Sequence, residues 1–393
     1  MTPSIAPDRP ATTPSDRVSP PASRWIEAAA SVADEIAAEA TEADASRAFP
    51  SASFDRLRDA GLLAAPLPVS WGGGGLGLDA GTHHALYAVL REVGRASLPV
   101  GRVYEGHVNA LALLAEWGTD EQRRRAARDV AAGHLFGVWN TEVPRDGVHL
   151  HPLPGGRVRM EGAKTFCSGM GAVTRAFANG ALPDGRWQMA LVPLDAVDVS
   201  ADPQWWAAEG MRASVSGRTD FWGVVLGPEA LVGSPGAYLR EPSFTGGSVR
   251  FAAVQLGGAQ ALFDAAGDHL RTLGRTDHAV QRARLGEAAV ALESGALWLL
   301  GAARLADRPD VEDADRVAYA QMVRTAVERV CLDVLERVDR AVGARGLLPP
   351  SPIERVGRDL RLYLRQPNPD GALDAAAGHA LTGERHALGS DVY

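Results

Sequence analysis

The sequence predicts an α+β chain: an N-terminal α-helical region, a β-barrel-like middle and a C-terminal helical bundle. Three observations carry that prediction. Long segments with apolar residues at helical spacing fill 24–134 and 241–393. Between them, 135–240 holds short aromatic or alternating runs separated by Pro154-Gly155-Gly156 and Pro183-Asp184-Gly185, which is turn chemistry between strands. A chain of 393 residues, 46% hydrophobic and 22% charged, is also long and apolar enough to bury a core of several layers. The predicted organisation is a disordered tail at 1–23, a helical domain at 24–134, a β domain at 135–240 and a helical bundle at 241–393.

The tail is rich in Pro, Ala, Ser and Thr and lacks the apolar core of a signal peptide. An Ala- and Glu-rich helix follows over 24–48, and Phe49-Pro50 ends it. Ser51 or Ser53 caps a second helix that turns Phe54, Leu57 and Leu62 inward and closes near Gly61. The loop at 66–77 carries four glycines at 72–75. It reads as a tight surface turn; the alternative, a phosphate cradle, lacks the Lys and Ser/Thr that should follow. Helices are expected over 80–96 and 106–117, and Thr119-Asp120-Glu121-Gln122 opens another with a capping pattern. In the middle region 158–169, 187–193 and 219–226 read as strands. Helices return over 248–273, 278–306 and 313–341, long enough to pack as a bundle. A glycine- and proline-rich turn at 343–352 precedes a helix at 353–365, and the residues after Pro367 are weakly patterned.

The bulk numbers narrow the function. A net charge of −8 gives no general pull toward nucleic acid or an anionic membrane. No run of about 18 apolar residues suggests a membrane span. The two cysteines, Cys167 and Cys331, make no disulfide framework, and a cytoplasmic location is the expectation. No metal site is expected.

The order of elements and seven local motifs together resemble the acyl-CoA dehydrogenase superfamily of flavoproteins, over roughly 25–371. Phe54-x-x-Leu57-x-x-x-Gly61-Leu62 with Pro66 and the glycine loop, and Trp117-Gly118-Thr119-Asp120-Glu121-Gln122, are similar to the family's N-terminal helical domain. Asn140-Thr141-Glu142 resembles its Thr-Glu motif, and Gly162-x-Lys164-x-Phe166-x-Ser168-Gly169 the strand that stacks an aromatic on the flavin. Gly210-Met211-Arg212-Ala213-Ser214-x-Ser216 resembles the last motif of the β domain. Gly343-Ala344-Arg345-Gly346 looks like the turn that meets the flavin pyrophosphate of a neighbouring subunit, and Arg358-Asp359-x-Arg361 like the late helix. The resemblance implies an acyl-CoA dehydrogenase-like fold with a four-helix bundle, FAD as cofactor, and a homo-oligomer, dimer or tetramer. It also implies a small-molecule substrate, CoA- or carrier-bound.

The residue types suit those roles. A flavin needs an apolar face, donors at its polar edge and backbone near its diphosphate. Trp139 and Phe166 offer faces, Asn140, Thr141 and Ser168 the polar edge, and Gly343, Arg345 and Gly346 the phosphate contact. The plainer alternatives are two core aromatics and a helix-to-helix turn. Cys167 reads as a buried core residue beside the flavin edge, and His107 as either a substrate contact or a core histidine. Arg275 and Gln281 lie near where the family places an Arg for the flavin diphosphate, at compressed spacing.

The departures concern catalysis. Acyl-CoA dehydrogenation needs a carboxylate to take the α-proton. The position that most of the family uses is held by Pro367, and the position used by a minority, just before Arg250, is Val249. Asp370 is the nearest acid in sequence. The leading expectation is an FAD-dependent oxidoreductase acting on an atypical acyl thioester or related small substrate. One alternative is a flavin monooxygenase of the same superfamily, using reduced flavin and O2; another is a non-catalytic flavin-binding scaffold.

Overall fold

Trp25, Ala29, Ala33, Ile36 and Ala40 recur every three or four residues along α1 (Ser23–Ser46), and all five are buried. This helix opens a computed structural model that describes residues 22–366 and 368–381. Most of the predicted tail and Pro367 lie outside the described residues. After α1 come α2 (Ser51–Asp59), α3 (His83–Ala96), α4 (Leu98–Trp117) and α5 (Asp120–Ala131). Two start signals differ from expectation. Pro50 occupies the position before α2, and Ser53 is buried, donating to Glu39 at 2.5 Å rather than capping. Helix α4 begins at Leu98, eight residues before its predicted start, with Ser97 as its cap and Pro99 in its first turn. The expected capping box is present: Gln122 N–H donates to Thr119 Oγ1, and Thr119 N–H to Gln122 Oε1. Of the glycines at 72–75, Gly72 does sit in an exposed turn with φ +89°, but the rest of the run turns inward. Gly74 and Gly75 are buried, and a Cβ on Gly74 would overlap the Trp25 indole.

The middle region forms two sheets. The larger orders β1 (Leu135–Val138), β5 (Val173–Phe177), β7 (Trp187–Pro193), β6 (Gly180–Ala181), β2 (His149–Pro152), β3 (Val158–Glu161) and β10 (Val225–Leu226), with β11 (Leu231–Val232) pairing β7. The smaller orders β4 (Ala163–Cys167), β9 (Gly217–Asp220) and β8 (Ser200–Asp202). The predicted 158–169 strand is broken at Gly162, so β3 and β4 join different sheets. The predicted 219–226 strand is likewise split into β9 and β10. A single bridge between Thr141 and Thr165 links the Thr-Glu segment to the smaller sheet.

The C-terminal helices are α6 (Ser243–Thr272), α7 (Ala279–Ala306), α8 (Asp313–Gly346), α9 (Pro352–Tyr363) and α10 (Pro369–Leu381). Helix α6 is the axis of the molecule, with α3, α8 and α9 packed along it and α7 against α8. The α3–α6 crossing is close: a Cβ on Gly94 or Gly257 would overlap the carbonyl oxygen of Val254 or Arg91 respectively. The two helical regions predicted as separate blocks thus share one packed layer. Residues after Pro367, expected to be weakly patterned, form α10 against α8. Among the described residues one helix, α7, is long and apolar enough by length and composition to cross a membrane; it packs in the bundle beside α6 and α8.

Candidate functional site

Strand β4 carries an irregularity where the chemistry is expected. Its pairing with β9 shifts register between Lys164 and Cys167, and Phe166, inside the shift, has φ +54°. Such a backbone state costs about 1–3 kcal/mol in a non-glycine residue and persists only where the surroundings enforce it. Here the bulge sets the half-buried Phe166 ring edge-on to Trp205 and Trp206, with centroids 5.1 and 5.7 Å away. Beyond it, Ser168 turns back into the 210–216 motif. Ser168 Oγ lies 2.8 Å from Ser216 Oγ, which lies 2.7 Å from Ser214 Oγ, and Ser214 donates to the Met211 carbonyl at 2.8 Å. Two motifs whose bonded serines are 48 residues apart in sequence thus form one row of hydroxyls.

The Asn140-Thr141 segment is held beside this row by a buried ion pair. Lys164 is fully buried, its ammonium donates to Glu142 Oε1, and the same oxygen accepts from Val148 N–H at 3.0 Å. Burial pushes the Lys164 pKa down, and the pair with Glu142 opposes that. Glu142 and Lys164 therefore anchor the segment rather than face a ligand. Thr141 is exposed, with its carbonyl accepting from Thr165 N–H at 2.8 Å. Both amide atoms of Asn140 are buried and without a hydrogen-bond partner. An orphaned amide next to an exposed hydroxyl and an aromatic wall suits the polar edge of a flavin. Trp139 is placed differently from a flavin face: it is 2% exposed, and its indole N–H donates to the Ser168 carbonyl at 3.0 Å.

The remaining candidates lie apart. Arg275 is exposed in the α6–α7 turn, and Gly343 and Arg345 are exposed at the kinked C-terminal end of α8, with Gly346 buried behind them. Arg284 near the start of α7 donates to the Arg340 carbonyl at 2.7 Å, so both turns occupy one end of the bundle. Next to Arg275, a groove of about 680 Å³ runs between α6 and α7, lined by Phe263, Asp268, Arg271, Thr276, Arg282 and Leu285. No hydrogen bond or ion pair among the described residues joins this end to the Asn140–Ser168 cluster. Asp370 is exposed on the first turn of α10, not on a loop, and Val249 is 3% exposed on α6. Cys167 is a core residue whose thiol burial pushes up to about 12. His107 is also core. Its Nε2 donates to the Leu63 carbonyl at 2.8 Å, its Nδ1 accepts from Phe136 N–H at 3.1 Å, and burial lowers its pKa to about 4. Among the described residues no group of three or more His, Cys, Asp or Glu side chains could hold a metal ion.

A polar network that sequence reading passed over lies between α4 and α6. Glu105, 1% exposed, accepts from Arg102 Nη1 at 2.5 Å and from Asn109, and Asn109 in turn accepts from Arg250 Nε. The Tyr238 hydroxyl lies beside Asn140, and that of Tyr363 beside Arg102. The signal was present in Arg102-x-x-Glu105-x-x-x-Asn109, three polar side chains on one face of a largely apolar helix.

The acyl-CoA dehydrogenase N-terminal domain family matches residues 26–134, and the acyl-CoA dehydrogenase C-terminal domain family matches residues 249–364. Dibenzothiophene monooxygenase of Rhodococcus erythropolis is 26% identical, over 91% of this chain and 93% of that protein. The putative acyl-CoA dehydrogenase YdbM of Bacillus subtilis (strain 168) is 27% identical, over 92% and 96%. The structure of TdsC from Paenibacillus sp. A11-2 with FMN and indole superposes with a TM-score of 0.82 at 24% identity, over 91% of this chain and 97% of that one; this likeness speaks for the fold. With both of its helical domains matched and its three-region order shared, the chain belongs to the acyl-CoA dehydrogenase superfamily.

Proposed function

We propose that the chain is a flavin-dependent monooxygenase that uses reduced FMN and O2 on a small-molecule substrate. This takes the alternative drawn from the sequence in preference to an acyl-thioester oxidoreductase, and FMN in preference to FAD. The observation that carries it is the missing base. Val249 is a buried apolar side chain, and Asp370 is exposed on α10. Glu105, a buried acid in the network that reaches Asn140 through Tyr238, has one carboxylate oxygen engaged by Arg102 and the other by Asn109. With both oxygens already bonded within the protein, this carboxylate is held as a structural partner and is not aimed at a ligand's α-proton. Support also comes from dibenzothiophene monooxygenase among the relatives and from the FMN in the TdsC structure.

In this reading Asn140, Thr141 and Ser168 hold the polar edge of the flavin, and Phe166 with Trp205 and Trp206 walls the site against water. A reduced flavin, when bound, supplies the two electrons that let one atom of O2 enter the substrate while the other leaves as water. The chain's own residues bind, orient and exclude solvent; none is asked to remove a carbon-bound proton. Gly343, Arg345 and Gly346, with Arg275, serve the phosphate end of the site in a neighbouring subunit.

Two measurements on the flavin-loaded protein test this. Anaerobic mixing with butyryl- and octanoyl-CoA should leave the flavin oxidised. Supply of reduced FMN by a reductase should drive O2 consumption coupled to substrate oxygenation. Rapid anaerobic reduction by either thioester would overturn the proposal in favour of a dehydrogenase. A flavin that neither turns over with O2 nor accepts electrons would favour the scaffold.

A further inference from the structure

We propose that Arg250, with Arg102 and the hydroxyls of Tyr238 and Tyr363, forms an anion-recognition subsite beside Asn140, so that the chain's substrates are small molecules bearing a carboxylate or a sulfur oxyanion. The inference deepens the monooxygenase reading by naming the substrate class, and its physical basis is an unbalanced charge.

The network holds two guanidinium groups and one carboxylate. Glu105 is engaged on both oxygens, by Arg102 and by Asn109. Arg250 reaches that carboxylate only through the neutral Asn109 amide, and no ion pair joins Arg250 to an acid among the described residues. One positive charge is therefore uncompensated on a half-buried side chain. A charge removed from water without a partner is costly, and it is relieved when a ligand brings the opposite charge.

The surrounding polar atoms favour the same ligand. Arg102 Nε, the Tyr363 hydroxyl and the Asn140 amide are buried and make no well-aligned hydrogen bond; the Tyr363 hydroxyl faces Arg102, and the Tyr238 hydroxyl faces Asn140. The Tyr238 hydroxyl also stands within the field of Arg102, Glu105 and Arg250. Guanidinium groups donate only, and tyrosine hydroxyls and an asparagine amide add further donors. Donors that converge around one net positive charge fit a group with two or three acceptor oxygens. A cationic substrate would meet Arg250 unshielded, and a purely apolar one would leave these donors unsatisfied. Asn140 joins this subsite to the flavin edge, which puts the anion next to the reacting region.

The test is ligand binding to the full, flavin-loaded protein with the flavin oxidised. Benzoate and benzenesulfinate are titrated by calorimetry against the neutral benzamide and benzyl alcohol. The anions should bind about tenfold or more tightly than the neutral probes, the scale of one charge-assisted hydrogen bond. Rising salt should narrow the gap. Arg250→Gln should erase the preference, and Arg250→Lys, which keeps the charge, should retain most of it. Equal binding of anions and neutral probes, no anion binding at millimolar concentration, or a preference that survives Arg250→Gln would each overturn the inference. If the Arg250 variants fail to fold or to load flavin, the wild-type comparison decides alone. No turnover is involved, so an anion preference without reductase-driven O2 consumption would sink the monooxygenase reading and leave this one standing.

Discussion

Ser168 and Asp359 stand at the two ends of one chain of contacts. Ser168 Oγ leads through Ser216 and Ser214 to the Met211 carbonyl, and the Met211 N–H donates to Asp359 Oδ1 at 2.5 Å. Ser168→Ala leaves Ser214 and Ser216 bonded to each other, so the fold should persist. If its hydroxyl also meets the flavin, flavin binding should weaken by roughly 0.5–1.5 kcal/mol. An unchanged flavin affinity and an unchanged reduction potential would mean that Ser168 acts only within the protein. Asp359 offers a pH test. Its burial pushes the carboxyl up to about 7, opposed by the Met211 N–H, Arg355 and Arg358 and reinforced by Asp44. The folded-state value lies above the unfolded one. The stability from its neutral form is therefore complete below the ordinary carboxylate range and is lost as pH rises through 7. Each unit of such a shift is worth about 1.4 kcal/mol. Asp359→Asn keeps an acceptor for Met211 and removes the titration. Its unfolding temperature relative to wild type should rise between pH 5 and pH 8, and a difference independent of pH would show that Asp359 is ionised throughout.

At the scale of the element, the α3–α6 crossing is the contact with least tolerance. Gly257→Ala would drive a Cβ into the Arg91 carbonyl, and over-packing of this kind typically costs about 1–3 kcal/mol. Denaturant unfolding should show that loss; a neutral result would mean that the helices slide apart freely. The crossing also marks what the sequence could and could not reveal. Features governed by near neighbours were legible: the capping box at Thr119 and Gln122, strand β7 between its turns, and the buried stripe of α1. Features governed by distant partners were not. Nothing in 158–169 says that Gly162 hands the chain from one sheet to another, because that choice belongs to β9 and β10. The capping role read for Ser53 was overridden by Glu39 on the neighbouring helix. Helix α10 escaped notice because its apolar side is mostly alanine, so Asp370 looked like a turn residue. For the candidate site, the motifs singled out Asn140, Phe166 and Ser168, which the structure brings into one region. The partner role of Lys164 and Glu142, and the Arg102–Arg250 network, depended on approaches between segments far apart in sequence.

For the whole molecule, one helix face is left exposed among the described residues. On α7, Ala283, Gly286, Val290 and Leu297 recur at helical spacing and all are exposed, Val290 by 69% and Leu297 by 44%. Leu332 on the neighbouring α8 is exposed as well. The small residues Ala283 and Gly286 allow a second helix to approach closely, and exposed Val290 and Leu297, with only Glu293 and Ser294 between them on that face, are apolar surface of the kind that marks an interface. The chain should therefore self-associate. The paired substitution Val290→Asp and Leu297→Asp removes two side chains worth about 1.5–3 kcal/mol each when buried and sets carboxylates against each other across a two-fold contact. Light scattering at micromolar concentration should show wild type as an oligomer and the double variant as monomer. Flavin content carries the second half of the prediction. If the exposed Gly343 and Arg345 turn completes the phosphate site of a neighbour, the monomeric variant should also lose flavin, although every residue of its Asn140–Ser168 cluster is intact. A monomer that keeps its full flavin complement would show that one chain builds the whole site, and Arg345 would then be a solvated turn residue.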